Sequence, residues 1–181
     1  MRLPLRRRRR WDAQPAVRCE VLLASDGGRG FSDRAIAEAA ALAASGPVAV
    51  LTVAKIYGSA YGMPNPGLLP TRGEVEDRHR WVNDAIGALE RGGVSADGQV
   101  AATRRAARLI ARVARLRGAR VVVMDETAAT GWRRRIEGDL GRDVARRLRR
   151  DPVEVVIVPR GPRTVSGSAS TPSPTRRRGT R

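Results

Sequence analysis

Apolar positions along this chain follow two alternating rhythms. Short unbroken runs occur at Val21-Leu22-Leu23-Ala24, Val48-Ala49-Val50-Leu51-Thr52-Val53, Val121-Val122-Val123-Met124 and Val153-Glu154-Val155-Val156-Ile157-Val158. A run of that length with little polar alternation predicts a strand buried on both faces. Between the runs, apolar residues recur every three or four positions, the helical period. Ser32 is a good N-cap for a helix over 33–44, which Ser45-Gly46-Pro47 stops. A second helix is predicted from Glu74 to about Glu90, with Trp81, Val82, Ala85, Ile86 and Leu89 on one face. A third spans Thr103–Arg117, with Ala106, Leu109, Ile110, Val113 and Leu116 inward and Arg104, Arg108, Arg112 and Arg115 opposite. A fourth covers about 139–150, and a short strand is expected near Gln99–Ala102. Residues 55–73, with four Gly and three Pro, read as a long loop. Parallel strands need crossover connections, so the alternation predicts a three-layer α/β/α sandwich.

Charge changes the picture at the ends. The 181 residues carry a net charge of +17. Residues 1–18 and 160–181 contribute +6 each, which leaves +5 for 19–159. The expected organisation is therefore a disordered basic tail over 1–17, an α/β domain over 18–160, and a disordered Ser/Pro/Arg tail over 161–181. Such tails attract nucleic acid without sequence preference, and only Trp11 stands among their arginines to offer a stacking surface. The single Cys19 excludes an internal disulfide, and no Cys/His cluster has zinc-site spacing. No apolar run approaches the ~20 residues of a membrane helix. The Arg6–Arg10 run is followed by Trp11-Asp12-Ala13-Gln14-Pro15 and not by an apolar segment, so a cytoplasmic protein without a signal peptide is expected.

In parallel sheets, ligands lie beyond the carboxyl ends of strands. Two such ends stand out: Ser25-Asp26-Gly27-Gly28-Arg29-Gly30, and the stretch from Asp125 to Gly141. The first holds Gly28-x-Gly30, but Asp33 stands where a dinucleotide fingerprint needs its third glycine, and no P-loop motif occurs. By themselves these glycines mark only a tight strand-to-helix turn.

Taken together, Val21-Leu22-Leu23-Ala24-Ser25-Asp26-Gly27-Gly28, the Ala-rich helix after it, Ala119-Arg120-Val121-Val122-Val123-Met124 before a Gly/Arg-containing loop, and Asp151-Pro152-Val153-Glu154-Val155-Val156-Ile157-Val158-Pro159 resemble a universal stress protein domain of the UspA type. The resemblance covers residues 20–159. It implies a Rossmann-like nucleotide fold, a five-stranded parallel sheet of order 3-2-1-4-5. It also implies a nucleotide site for which Asp26, Gly27, Gly28, Val53 and Gly138 are candidates, with Asp26 on the adenine side, Val53 lining the base pocket, and a phosphate loop Gly-x2-Gly-x9-Gly-Ser/Thr. The matching positions here are Asp125, Ala128, Gly138 and Asp139, so Gly138 alone is retained. Missing glycines keep backbone amides away from phosphates, and two added carboxylates repel them. Asp139 is itself a helix cap that fills the positive helix end. Arg133, Arg134 and Arg135 are candidate anion contacts, or else a solvated run balancing nearby acids. Asp26 is equally a turn former.

His79, flanked by charge, reads as an exposed histidine, and Cys19 as a packed one. Asp125 and Glu126 read as solvated and not as a metal pair. No nucleophile–base pattern emerges, so no catalytic residue is assigned. The expectation is a non-enzymatic stress-response regulator that binds ATP weakly or not at all, and that forms a homodimer through Val153–Val158. The alternatives are an ATP-pyrophosphatase-like enzyme, whose Ser-Gly-Gly-x-Asp-Ser loop is only loosely echoed at Ser25–Gly30, and a nucleic-acid-associated protein acting through its tails.

Overall fold

Branched residues crowd one another's rotamers in a helix but pack well on a pleated surface, so the apolar runs become strands. The structure, a computed structural model, describes residues 17–55, 71–126 and 139–160. It contains strands β1 (Val21–Ser25), β2 (Val48–Lys55), β3 (Ala96–Thr103), β4 (Val121–Asp125) and β5 (Glu154–Val158), and helices α1 (Asp33–Ala43), α2 (Arg72–Arg91), α3 (Ala106–Arg117) and α4 (Leu140–Leu148). The five strands form one parallel sheet in the order β3-β2-β1-β4-β5. Val21 pairs with Val48 on one side and with Val121 on the other, so β1 is central, and all five of its residues are buried.

Alternate strand residues feed two cores. Leu22, Ala24, Leu51, Val53, Val122 and Met124 pack against Ile110, Ala114, Val144 and Leu148 of α3 and α4. Val21, Leu23, Val50 and Val123 pack against Ala35, Ala39, Val82 and Leu89 of α1 and α2. Each fully buried Val or Leu is worth about 1.5–3 kcal/mol, so this double-sided enclosure holds the strand ends that position the site.

Several boundaries differ from the sequence expectations for identifiable reasons. Helix α2 starts earlier than Glu74 because Thr71 caps it: its hydroxyl accepts from Glu74 N while the Glu74 carboxylate accepts from Thr71 N, a reciprocal capping box. That hydrogen bond from Thr71 also holds the Glu74 carboxyl below its usual range. Strand β3 is eight residues long rather than four and ends at Thr103, and α3 starts at Ala106 and not at Thr103. Leu116, expected inward, is 61% exposed, and the buried stripe of α3 is Ala107, Ile110, Ala111, Val113 and Ala114. That stripe lies on the side of the helix opposite Leu116, which therefore faces solvent. The tails expected over 1–17 and 161–181, apart from Val17, and the loop residues 56–70 and 127–138 lie outside the described residues.

Candidate functional site

The turn after β1 is built from its own side chains. Ser25 Oγ donates to the Arg29 carbonyl at 3.1 Å and accepts from Gly27 N at 3.2 Å, while Asp26 Oδ1 accepts from Gly28 N at 2.9 Å. Gly27 has φ +76°, and a Cβ there would lie 1.7 Å from the Val53 carbonyl oxygen. Only glycine fits, for space and for backbone angle alike. The end of β2 therefore meets the turn through the Val53 carbonyl, and the Val53 side chain is fully enclosed in the core. Gly30 sits under Trp81, whose Cδ1 would be 3.1 Å from an added Cβ. Asp26, Gly27, Gly28 and the Val53 carbonyl are thus gathered at the carboxyl ends of β1 and β2, in the middle of the sheet. Gly138, Arg133, Arg134, Arg135 and Ala128 lie outside the described residues.

The end of β4 carries an arrangement that periodicity does not reveal. Asp125 reaches across to α1: its Oδ2 accepts from Ser32 N at 3.0 Å and its Oδ1 from Ser32 Oγ at 2.5 Å. Ser32 Oγ in turn accepts from Ala35 N at 3.1 Å and so caps α1. Arg160, just beyond β5, donates to the Gly30 carbonyl and lies 3.4 Å from Asp125 Oδ2. The Asp125 side chain is 12% exposed and that of Arg160 26%. One carboxylate therefore ties together the end of β4, the amino end of α1 and the residue after β5. It occupies the positive helix end that a bound anion would otherwise use.

A second carboxylate does the same for α4. Asp139 accepts from Arg142 N at 3.2 Å as the N-cap, and Arg142 Nε is 3.3 Å from its other oxygen. The sequence marks Asp139 and Ser32 as helix caps, but nothing local in it pairs Ser32 or Arg160 with Asp125, and Arg160 reads there as part of the tail charge. Elsewhere, His79 is exposed, and Cys19 is 4% exposed with its thiol pushed up by burial to about 11. Among the described residues no cluster of His, Cys, Asp and Glu could hold a metal, and no helix is long and apolar enough to cross a membrane.

No family model and no curated protein matches the chain. Solved structures do. The universal stress protein UspA from Lactobacillus plantarum superimposes with TM-score 0.56 at 16% identity, over 78% of this chain and 99% of that one. A universal stress protein from Archaeoglobus fulgidus gives TM-score 0.55 at 16% identity, over 78% and 98%. This chain has the universal stress protein fold. A further universal stress protein, solved in complex with cAMP, gives TM-score 0.54 at 15% identity, over 77% of this chain and 97% of that one. The UspA-type architecture implied by the sequence, with its 3-2-1-4-5 sheet, is the observed one. At these identities the likeness is one of fold, and the site has to be read from this chain's own residues.

Proposed function

We propose that this protein is a non-enzymatic regulator of the universal stress type whose nucleotide site has been closed by carboxylates, so that it binds ATP weakly or not at all. The observation that carries this reading is the Asp125 carboxylate held by Ser32 N, Ser32 Oγ and Arg160. It stands at the first glycine position of the family's phosphate loop, and it satisfies with protein atoms the donors that face it. Asp139 at the capping position of α4 has the same effect on the second helix end. A phosphate contact of the charge-assisted kind is worth about 1.5–3 kcal/mol. Losing two such contacts weakens binding by about a hundredfold or more, since about 1.4 kcal/mol is tenfold. Asp26, Gly27 and Gly28 keep the turn on the adenine side, the expected base-pocket role of Val53 falls away because its side chain is enclosed in the core, and Gly138 with Arg133–Arg135 is what remains of a phosphate side. A neighbour of the same fold was solved in complex with cAMP, so the fold itself can carry a nucleotide.

The test is Asp125→Gly, Ala128→Gly, Asp139→Ser in one chain. ATP binding by calorimetry should appear or strengthen at least tenfold over the unmodified protein. If the triple variant folds and binds no better, the carboxylates are not what closes the site. Incubation of the unmodified protein with ATP should leave it intact, whereas pyrophosphate release would favour the ATP-pyrophosphatase reading.

The cytoplasm is the compartment this reading implies. Assembly is part of it too. Strand β5 closes one edge of the sheet and exposes Ile157 at 38%, and an apolar edge of this kind pairs with another chain. We infer a homodimer through Val153–Val158. Sedimentation of Val156→Lys should show monomer or aggregate, and a monomeric unmodified protein at high concentration would refute the dimer.

A further inference from the structure

The charge of the folded part is not spread evenly over its two helical layers. Helices α1 and α2, on one face of the sheet, carry five Arg against seven Asp and Glu, a net of −2. Helices α3 and α4, on the other face, carry seven Arg against one Asp, a net of +6. Arg104 and Arg105 extend this layer before α3, and Arg149 and Arg150 extend it after α4. The modest excess expected for residues 19–159 is therefore concentrated on one side. The two basic helices are packed together, and Arg115 fastens them by donating to the Arg147 carbonyl at 2.7 Å and to Asp151 at 2.7 Å. Arg146 is paired with Asp143. Arg104, Arg108, Arg112, Arg147 and Arg150 are all exposed and form no ion pair with any described residue.

We propose that the α3–α4 face is a docking surface for the phosphate backbone of a nucleic-acid duplex, separate from the Asp26–Asp125 site and from the tails. Arg108 and Arg112 stand one helical turn apart, about 6 Å along the axis. A duplex presents one phosphate charge per about 1.7 Å of its axis, so a row of cations at this spacing meets phosphates throughout its length. Arginine suits this role because its planar fork pairs with phosphate oxygens two at a time. Single strands are a poorer match: binders of single strands stack bases on aromatic rings, and neither α3 nor α4 contains an aromatic residue. A membrane surface is a poorer match as well. Helices that lie on lipid insert an apolar face, whereas the apolar faces of α3 and α4 are used against the sheet and only Leu116 is left exposed on α3. Contacts of this kind read no bases, so the binding is independent of sequence.

The test uses the full chain, tails included, and a fluorescently labelled 20-base-pair DNA duplex followed by anisotropy over a range of salt. Two triple variants lose the same charge: Arg108→Gln, Arg112→Gln, Arg147→Gln on the basic layer, and Arg34→Gln, Arg80→Gln, Arg91→Gln on the other. The first set should lower affinity by at least about tenfold at moderate salt and make the salt slope shallower by about 2.7, the counterion release of three phosphate contacts. The second set should leave both nearly unchanged, and Arg→Lys at the first three positions should restore the slope. Equal losses in the two sets would show that the tails or net charge alone bind the duplex, and would overturn the proposal. So would no duplex binding at all, or tighter binding to a 20-nucleotide single strand or to phosphatidylserine vesicles.

Discussion

Replacing Asp125 with Ala removes the carboxylate that joins three elements, and its cost can be worked from the contacts. Two hydrogen bonds from Ser32 end on this charge, and Arg160 lies beside it. Hydrogen bonds to a charged group are worth about 1.5–3 kcal/mol each, so their sum sets a ceiling of about 6 kcal/mol. The carboxylate is 12% exposed, which lets water reach part of the gap and re-solvate Ser32 N and Arg160. The capping bond from Ala35 N to Ser32 Oγ survives in the variant. The expected loss is therefore about 3 kcal/mol, roughly half the ceiling. Urea titration followed by far-UV circular dichroism reads it directly, as a midpoint lower by roughly 1–3 M with an unchanged slope. Glu126→Ala, at the exposed neighbouring residue, should shift stability by less than about 0.5 kcal/mol. A double-mutant cycle with Arg160→Ala should show a coupling of about 0.5 kcal/mol or more. If Asp125→Ala matches the unmodified protein within about 0.5 kcal/mol, or if the cycle is additive, the carboxylate does not hold the site together.

Three further outcomes follow from the same geometry. Gly27→Ala should destabilise the fold by at least about 2 kcal/mol in thermal melts, since its Cβ would meet the Val53 carbonyl at 1.7 Å and its φ is +76°. Thr52→Val should stabilise by about 1 kcal/mol in the same assay, because the Thr52 hydroxyl is buried and has no hydrogen-bond partner. The Cys19 thiol, raised by burial from 9.0 to about 11, should react with a disulfide reagent at pH 8 only at the rate of unfolding. The unfolded chain ionises this thiol first, so its stabilising contribution is full below about pH 9 and fades as pH rises toward 11.

The parts of this molecule that were legible in the sequence are the parts set by local period. Strands β1, β2 and β4 are apolar runs enclosed by neighbours, and α1 has its cap and stop in adjacent residues. The apolar run of β5 also forms a strand, but as the edge of the sheet it is not buried on both faces as expected: Glu154 and Ile157 are exposed and only Val158 is buried. Strand β3 was nearly hidden because Ala96-Asp97-Gly98-Gln99 has no apolar alternation. Its length comes from pairing with all eight residues of β2. Gly98 in it is not a turn former but a clearance: a Cβ would lie 2.5 Å from Val82 Cγ1 of α2, so the glycine admits the helix. The α2 boundary is written in Thr71-x-x-Glu74, a capping box that stands at the end of a Gly/Pro-rich stretch whose loop signal is the stronger one. The Asp125 cluster had no such signal. Its partners are 93 and 35 residues away, and only the parallel sheet order brings Ser32, Asp125 and Arg160 to one end of the sheet. The basic face was hidden for the same reason: net charge is a sum over the sequence, and the layers divide it.

Isothermal titration of ATP into the unmodified full-length chain tests the central claim most directly. A site whose helix ends are already occupied by Asp125 and Asp139 should give no saturable heat below about millimolar ATP, where binding is worth only about 4 kcal/mol. Micromolar affinity would contradict it, and would mean that the carboxylates do not exclude the phosphates and that Arg133–Arg135 clamp them instead.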